Sequence, residues 1–327
     1  MTPGPPETTG FTERYRALQA NVEAAVLGKS EPVRLALTCL LAGGHLLIED
    51  VPGVGKTSLA RAIAASVSGS WHRIQFTPDL LPSDVTGVTI WNQGRGDFEF
   101  HPGAVFANIV LADEINRASP KTQSALLEVM EEQRVTVDAV AHDVPVPFMV
   151  VATQNPVEMD GTYRLPEAQL DRFLVRTAIG YPDPRTEALI VSGRVRGVPV
   201  DALRPVVSLG DLARMIEWAA RVATAPVLID YAVSLVGATR SHPEVRLGVS
   251  PRGSLGLIAA ARAYAATDGR AYATPDDVKA LAVPVLAHRM MLTPDAEVRG
   301  RTAQEVVRDL LAGVTVPEPA AAVAAAR

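Results

Sequence analysis

The stretch HLLIEDVPGVGKTSLARAIAASV, residues 45–67, restricts the fold more than any other part of the chain. A short apolar run meets a glycine-rich turn, and the turn opens a helix-periodic segment. Gly55-Lys56-Thr57 completes a phosphate-binding pattern of Gly, four free positions, then Gly-Lys-Ser/Thr. Backbone N–H groups from Gly53 to Thr57 are expected to surround phosphates at a helix N-terminus. Lys56 would neutralise phosphate charge and the Thr57 hydroxyl would ligate Mg2+, with Pro52, Val54 and Ser58 completing the cradle. The first position of the pattern is Asp50 instead of Gly. That position has a conformational role, and Asp tolerates a left-handed backbone better than most residues. A carboxylate turned from the phosphates, or hydrogen-bonded locally, would leave the site working. A second Gly-Lys-Ser, Gly28 to Ser30, follows no strand and is not expected to bind phosphate.

Four further apolar runs resemble the one before the loop: WHRIQF, NIVLADE, FMVVATQ and LVRTAIG. Continuous apolar runs separated by helical patterns indicate a parallel sheet covered on both faces. The fold class expected is therefore a doubly wound α/β domain with ligands at the carboxyl ends of its strands. Gly87 to Gly103 and Arg134 to Pro147 interrupt the alternation and read as two hairpins. From about Tyr181 the pattern is helical, with caps at Ser208 and at Thr274-Pro275-Asp276-Asp277. The division expected is a disordered segment over 1–10, a nucleotide-binding core over 11–181, an all-helical lid over 182–315 and a disordered tail over 316–327.

A phosphate loop needs a second, acidic strand end. NIVLADE supplies Asp113 to hold the metal shell and Glu114 to orient and polarise an attacking water. FMVVATQN brings Asn155 to the same edge, where its side chain can hold that water.

Composition narrows the partners. The chain has 31 basic and 36 acidic residues, a net charge of −5, which disfavours nucleic acid as partner. Cys39, the only cysteine, lies in the apolar run LALTCLL and reads as a small buried hydrophobe. The longest apolar stretch, Leu35 to Ile48, is interrupted by Gly43-Gly44 and is too short to span a bilayer. A reducing cytoplasm and no membrane insertion are the expectations. Trp71 and Trp91 read as packing residues, and no His/Cys spacing suggests zinc.

The words DVPGVGKT, LADEINRASPKTQSALLEVMEE, ATQNP, LPEAQLDRF and GVSPRG resemble the AAA+ ATPases and, within them, the MoxR family. The resemblance implies ATP with Mg2+, sensor 1 at Asn155, an arginine finger at Arg172 and sensor 2 at Arg252. It places a helix-2 insert at the first hairpin and a pre-sensor-1 hairpin at the second. Asp50 departs from the general Walker A pattern. Further implications are a homo-oligomeric ring, a hexamer, with nucleotide between subunits, and a von Willebrand factor A domain partner in maturing client proteins. Read by itself, Ser250-Pro251-Arg252 is a capped helix start that holds Arg252 at the mouth of a lid helix. Arg172 and Arg252 taken singly fit surface ion pairs equally well. The competing functions are a chelatase-like motor for metal insertion, a nucleic-acid remodelling ATPase and a nucleotide-gated scaffold without turnover.

Overall fold

In a computed structural model, residues 5–51, 53–155, 162–192 and 197–317 are described. Helices α1 (Pro5–Ala25) and α2 (Ser30–Leu41) precede β1 (Leu46–Glu49), α3 (Lys56–Ser66) and β2 (Trp71–Gln75). Then come α4 (Pro82–Thr86), β3 (Gly87–Asn92), β4 (Asp97–Pro102), β5 (Ile109–Asp113) and α5 (Pro120–Glu132). β6 (Arg134–Val137) and β7 (Val140–Asp143) lead to β8 (Met149–Gln154), α6 (Glu167–Leu170) and β9 (Val175–Thr177). The rest is α7 (Pro184–Val191), α8 (Leu209–Ala220), α9 (Pro226–Ser241), β10 (Val245–Leu247), α10 (Pro251–Thr267), α11 (Pro275–Leu286), β11 (Met291–Leu292), α12 (Pro294–Val298) and α13 (Ala303–Gly313).

All five apolar runs enter one sheet of order β2-β5-β8-β1-β9, with every pairing parallel. Both faces are covered, and the side-chain alternation shows it. Leu46 and Ile48 of β1 join one buried cluster while Leu47 joins the other. Ile109 and Leu111 of β5 split from Val110 and Ala112 in the same way. From β1 the chain leaves toward β2 on one side, whereas β9 pairs with β1 on the other. The carboxyl end of β1 is thus a topological switch point, where ligands bind in open α/β sheets.

The two hairpins form as β3–β4 and β6–β7. Phe100 of one stacks on His142 of the other, with ring centroids 3.8 Å apart. Trp91 packs edge-on against Phe98, yet both rings remain exposed.

Three expectations give way to the structure. α1 begins at Pro5, inside the stretch expected to be disordered. Phe11, Tyr15, Leu18 and Val22 recur at helical spacing and bury one face of it, which outweighs a Pro/Thr/Gly-rich start. The region expected to be all helical contains the antiparallel pair β10–β11. Of the tail from 316, residues 318–327 lie outside the described residues, while Val316 packs against the core. The expected caps at Ser208, Ser250 and Thr274 all form. Cys39 is buried, and burial pushes its thiol pKa up. No helix among the described residues is long and apolar enough to cross a membrane.

His45, just before β1, is held as one neutral imidazole tautomer. Its Nδ1 accepts the Val150 N–H at 3.0 Å, and its Nε2 lies 3.0 Å from the Met130 carbonyl, to which it donates. Burial pushes its pKa down to about 4. Between that value and the ~6.5 of an unfolded histidine, the unfolded chain binds more protons. Stability is therefore full above pH 6.5 and falls as the pH drops through that window, by up to about 1.4 kcal/mol per unit. His288, also lowered by burial, acts in the same direction. Thermal unfolding at pH 7.5 and pH 5 should show this loss, and His45→Gln should shrink it. An unchanged pH 5 penalty in that variant would assign the loss to other groups.

Candidate active site

The loop between β1 and α3 needs backbone that only glycine adopts easily. Gly53 has φ 84° and Gly55 φ 97°, both left-handed, and Gly55 caps α3. No heavy atom lies within 4 Å of a Cβ built at either position, so the space in front of the loop is open. Lys56 starts the helix and donates from Nζ to the carbonyls of Asp50 at 2.6 Å and Gln154 at 3.3 Å. Its ammonium thus spans the ends of β1 and β8. Val54, Thr57 and Ser58 flank these residues in the turn and first helical turn, whereas Pro52 lies outside the described residues.

Asp50 is not left-handed, contrary to expectation: it is absent from the positive-φ residues. Its carboxylate turns to backbone donors, as expected of a group kept from the phosphates. Oδ2 accepts the N–H groups of Ile179 at 2.8 Å and Gly180 at 2.6 Å, and Oδ1 accepts that of Val51 at 2.8 Å. The unusual residue of the loop therefore ties its base to the turn after β9. Asp50→Gly should leave those donors unpaired and cost about 1–3 kcal/mol of stability. Nucleotide affinity should stay within about tenfold, ~1.4 kcal/mol. A severe loss of binding without destabilisation would instead make Asp50 a ligand of the nucleotide.

The acidic strand end faces the loop. Asp113 is buried, and its Oδ2 lies 3.4 Å from the Thr57 hydroxyl. A hydroxyl and a carboxylate at that separation suit a shared Mg2+ with oxygen ligands. Asp113 Oδ1 accepts the Thr153 hydroxyl at 2.6 Å, and Thr153 Oγ1 accepts the Glu114 N–H at 2.9 Å. Glu114 itself is left-handed, φ 57°, a strain of order 1–2 kcal/mol for a residue with a side chain. The Thr153 bond helps to hold that conformation, which projects Glu114 Oε2 toward Gln75 Nε2 at 2.9 Å and Arg117 Nη1 at 3.1 Å. Asn155, buried, follows the end of β8 beside this pair.

Sequence reading missed three partners here. Arg73 donates to Asp113 Oδ2 from Nε at 3.1 Å and Nη2 at 2.6 Å, and Gln75 and Thr153 hold the acidic pair as described. Arg73 and Gln75 alternate on β2, and Thr153 precedes Asn155 by two, so each points to the proper face. Only the sheet order reveals which strand they meet.

A cavity of about 540 Å3 opens beside the loop, lined by Val26, Leu27, Lys29, Gly53, Gly55 and Tyr181 among others. Its size suits a small ligand. Lys29, from the discounted Gly-Lys-Ser, donates to the Tyr181 carbonyl at 2.6 Å and so shapes the cavity wall.

Arg172 and Arg252 are brought together, but not to this loop. Glu131, at the end of α5, pairs with Arg172 Nη2 at 3.0 Å through one oxygen and with Arg252 through the other. Arg172 precedes β9, and the adjacent Leu174 N–H bonds to the carbonyl of His45, before β1. The two arginines therefore sit at the amino-terminal edge of a parallel sheet whose carboxyl edge carries the loop. The four residues of β1 alone, at about 3.3 Å each, separate the edges by roughly 13 Å.

Comparison with known proteins agrees with this geometry. Residues 45–175 match the sequence pattern of a family of ATPases associated with various cellular activities (AAA), and residues 237–310 match the AAA lid domain. YeaC, an uncharacterized protein of Bacillus subtilis, is 50% identical over 303 residues, 93% of this chain and 95% of its own. Chaperone MoxR1 of Mycobacterium tuberculosis is 44% identical over 306 residues, 91% of this chain and 81% of its own. A crystal structure from Cytophaga hutchinsonii shares the fold with a TM-score of 0.87 at 35% identity, covering 96% of this chain and 98% of that one. A glycine loop at a switch point, an acidic strand end facing it and a helical C-terminal region go with these likenesses to make the protein a chaperone-like ATPase; the chain belongs to the MoxR family of AAA+ ATPases.

Proposed function

We propose that the ATPase works as a cytoplasmic ring, a hexamer, in which each nucleotide site is completed by the neighbouring subunit. The observation that carries this reading is the position of Arg172 and Arg252, paired on Glu131 at the sheet edge opposite their own loop. Held there, about a strand's length from Lys56 of the same chain, both would serve a loop presented by a second copy. Arg252 then acts in trans beside the arginine finger Arg172. The core over 11–181 would carry loop and finger, and the lid over 182–315 would carry Arg252.

In each site the backbone of residues 52–58 would cradle ATP, with Lys56 against its phosphates. Thr57 and Asp113 would hold Mg2+, which supplies Lewis-acid charge to the transferring phosphoryl group. Glu114 would take the proton of the attacking water, and Asn155 would fix that water in line. Thr153 keeps Asp113 and Glu114 in register, so the acid pair is oriented before nucleotide arrives. A partner with a von Willebrand factor A domain would direct the remodelling toward a client protein. The exposed Ile90, Trp91 and Phe98 of the β3–β4 hairpin favour a protein client over nucleic acid.

A shared site makes turnover depend on assembly. ATPase activity per subunit should rise with protein concentration and level off as rings form. Constant activity down to concentrations at which light scattering shows monomers would rule the shared site out. Glu114→Gln loaded with ATP is the form with which to retain partner and client.

A further inference from the structure

The lid reaches the Arg172 turn through a buried cation that the catalytic reading does not use. Arg289 follows α11, and its side chain is only 3% exposed. Its Nε donates to Asp171 Oδ1 at 2.8 Å. Nη2 donates to the carbonyls of Asp171 at 3.1 Å and Phe173 at 2.7 Å. Nη1 donates to the Leu174 carbonyl at 3.1 Å and to that of Val285 in α11. One planar fork thus grips the backbone on both sides of Arg172.

The second oxygen of Asp171 accepts the Ser250 hydroxyl at 2.8 Å. Ser250 caps α10, and its Oγ accepts the Arg252 N–H at 3.2 Å. Arg172 and Arg252 then meet on Glu131. The contacts close a circuit from Arg172 through Asp171, Ser250, Arg252 and Glu131 back to Arg172, with Arg289 anchoring it from the lid. A buried ion pair is seldom the most stable way to fill such a space, since apolar side chains avoid its desolvation. What the fork adds is directional bonding to several acceptors at once, which a lysine cannot reproduce.

We propose that Arg289 is a positioning residue that, through Asp171, holds Arg172 and Arg252 in the geometry needed by the neighbour's nucleotide. The inference rests on the reading that Arg172 acts in trans. It makes the finger turn and the lid one mechanical unit, so displacement of the lid moves both arginines together. Plain cement between core and lid would produce the same contacts, but a different catalytic signature.

Arg289→Lys keeps a cation beside Asp171 and loses the fork. A misplaced finger should lower kcat by about 10²-fold. KM and ATP affinity should stay within about twofold, because the variant's own loop is untouched. Mixed rings then locate the defect. Arg289→Lys with Lys56→Ala should exceed the sum of the two alone, since intact loops meet intact fingers at some interfaces. Arg289→Lys with Arg172→Ala should show no such gain, both defects lying on the finger side. A gain in that second mixture, no gain in the first, or an unchanged kcat would overturn the inference. Arg172→Ala with Lys56→Ala is the control: its failure to recover in exchanging rings would overturn the trans reading and this inference with it. If Arg289→Lys does not fold, Asp171→Asn replaces it in every mixture, with the same expected and overturning results.

Discussion

Glu114→Gln should bind ATP as the unaltered protein does and hydrolyse it about 10²–10⁴-fold more slowly. The substitution is nearly isosteric, and the bonds that orient the side chain can survive it. The Glu114 N–H still reaches Thr153, so the left-handed backbone and the position of Asp113 are retained. A rotated amide can still meet Gln75 Nε2 and Arg117 Nη1 with its oxygen. What disappears is the carboxylate that accepts a proton from water. The measurement pairs a nucleotide-binding titration with phosphate release from one preparation. Lost binding would mean that Glu114 shapes the phosphate site, and retained turnover would place the base elsewhere. The strain at φ 57° sharpens the test, because a residue kept there at a cost is held for its direction.

The sheet was legible because both of its faces are covered. The central strands β5, β8 and β1, buried on two sides, read as unbroken apolar runs, whereas the edge strand β2, with Trp71, His72 and Arg73 exposed, was marked by the turns that bound it. Order decided most of what sequence reading missed. Arg73 and Asp113 are 40 residues apart and become an ion pair only because β2 and β5 are neighbours. Asp50 looked like a single altered letter in the loop, but its partners, Ile179 and Gly180, lie beyond β9. No local pattern connects them. α1 failed for a different reason: its proline, threonine and glycine content signals looseness, while its buried spacing of Phe11, Tyr15, Leu18 and Val22 signals a helix. Tertiary burial won, as it commonly does over propensity. Glu131 was hidden in a helical surface pattern, and its role at the junction of two arginines emerges only when the lid is folded against the core.

Arg172→Ala should stay folded and bind ATP, yet lose about 10³–10⁵ in turnover, as fingers supplied in trans do. The fold should tolerate the change because the side chain is partly exposed and its pairing with Glu131 is shared by Arg252. Ion pairs of that exposure contribute about 0–1 kcal/mol. Its buried Nε has no hydrogen-bond partner among the described residues, so its removal strands no acceptor. Lys56→Ala should be equally inactive for the opposite reason: its finger is sound, but its loop has lost the cation that neutralises phosphate. Rings mixed from the two contain interfaces where the sound loop of one subunit faces the sound finger of the other. Activity above the sum of the separate variants is the expected result when subunits exchange, which a fluorescence energy-transfer control establishes. If exchange occurs and the activities merely add, Arg172 serves its own chain or only the fold, and the separation between the two edges of the sheet would have to close in the working state. Unfolding of Arg172→Ala alone would select the structural role. A folded, ATP-binding variant that regains turnover beside Lys56→Ala leaves the neighbour's site as the place where Arg172 acts.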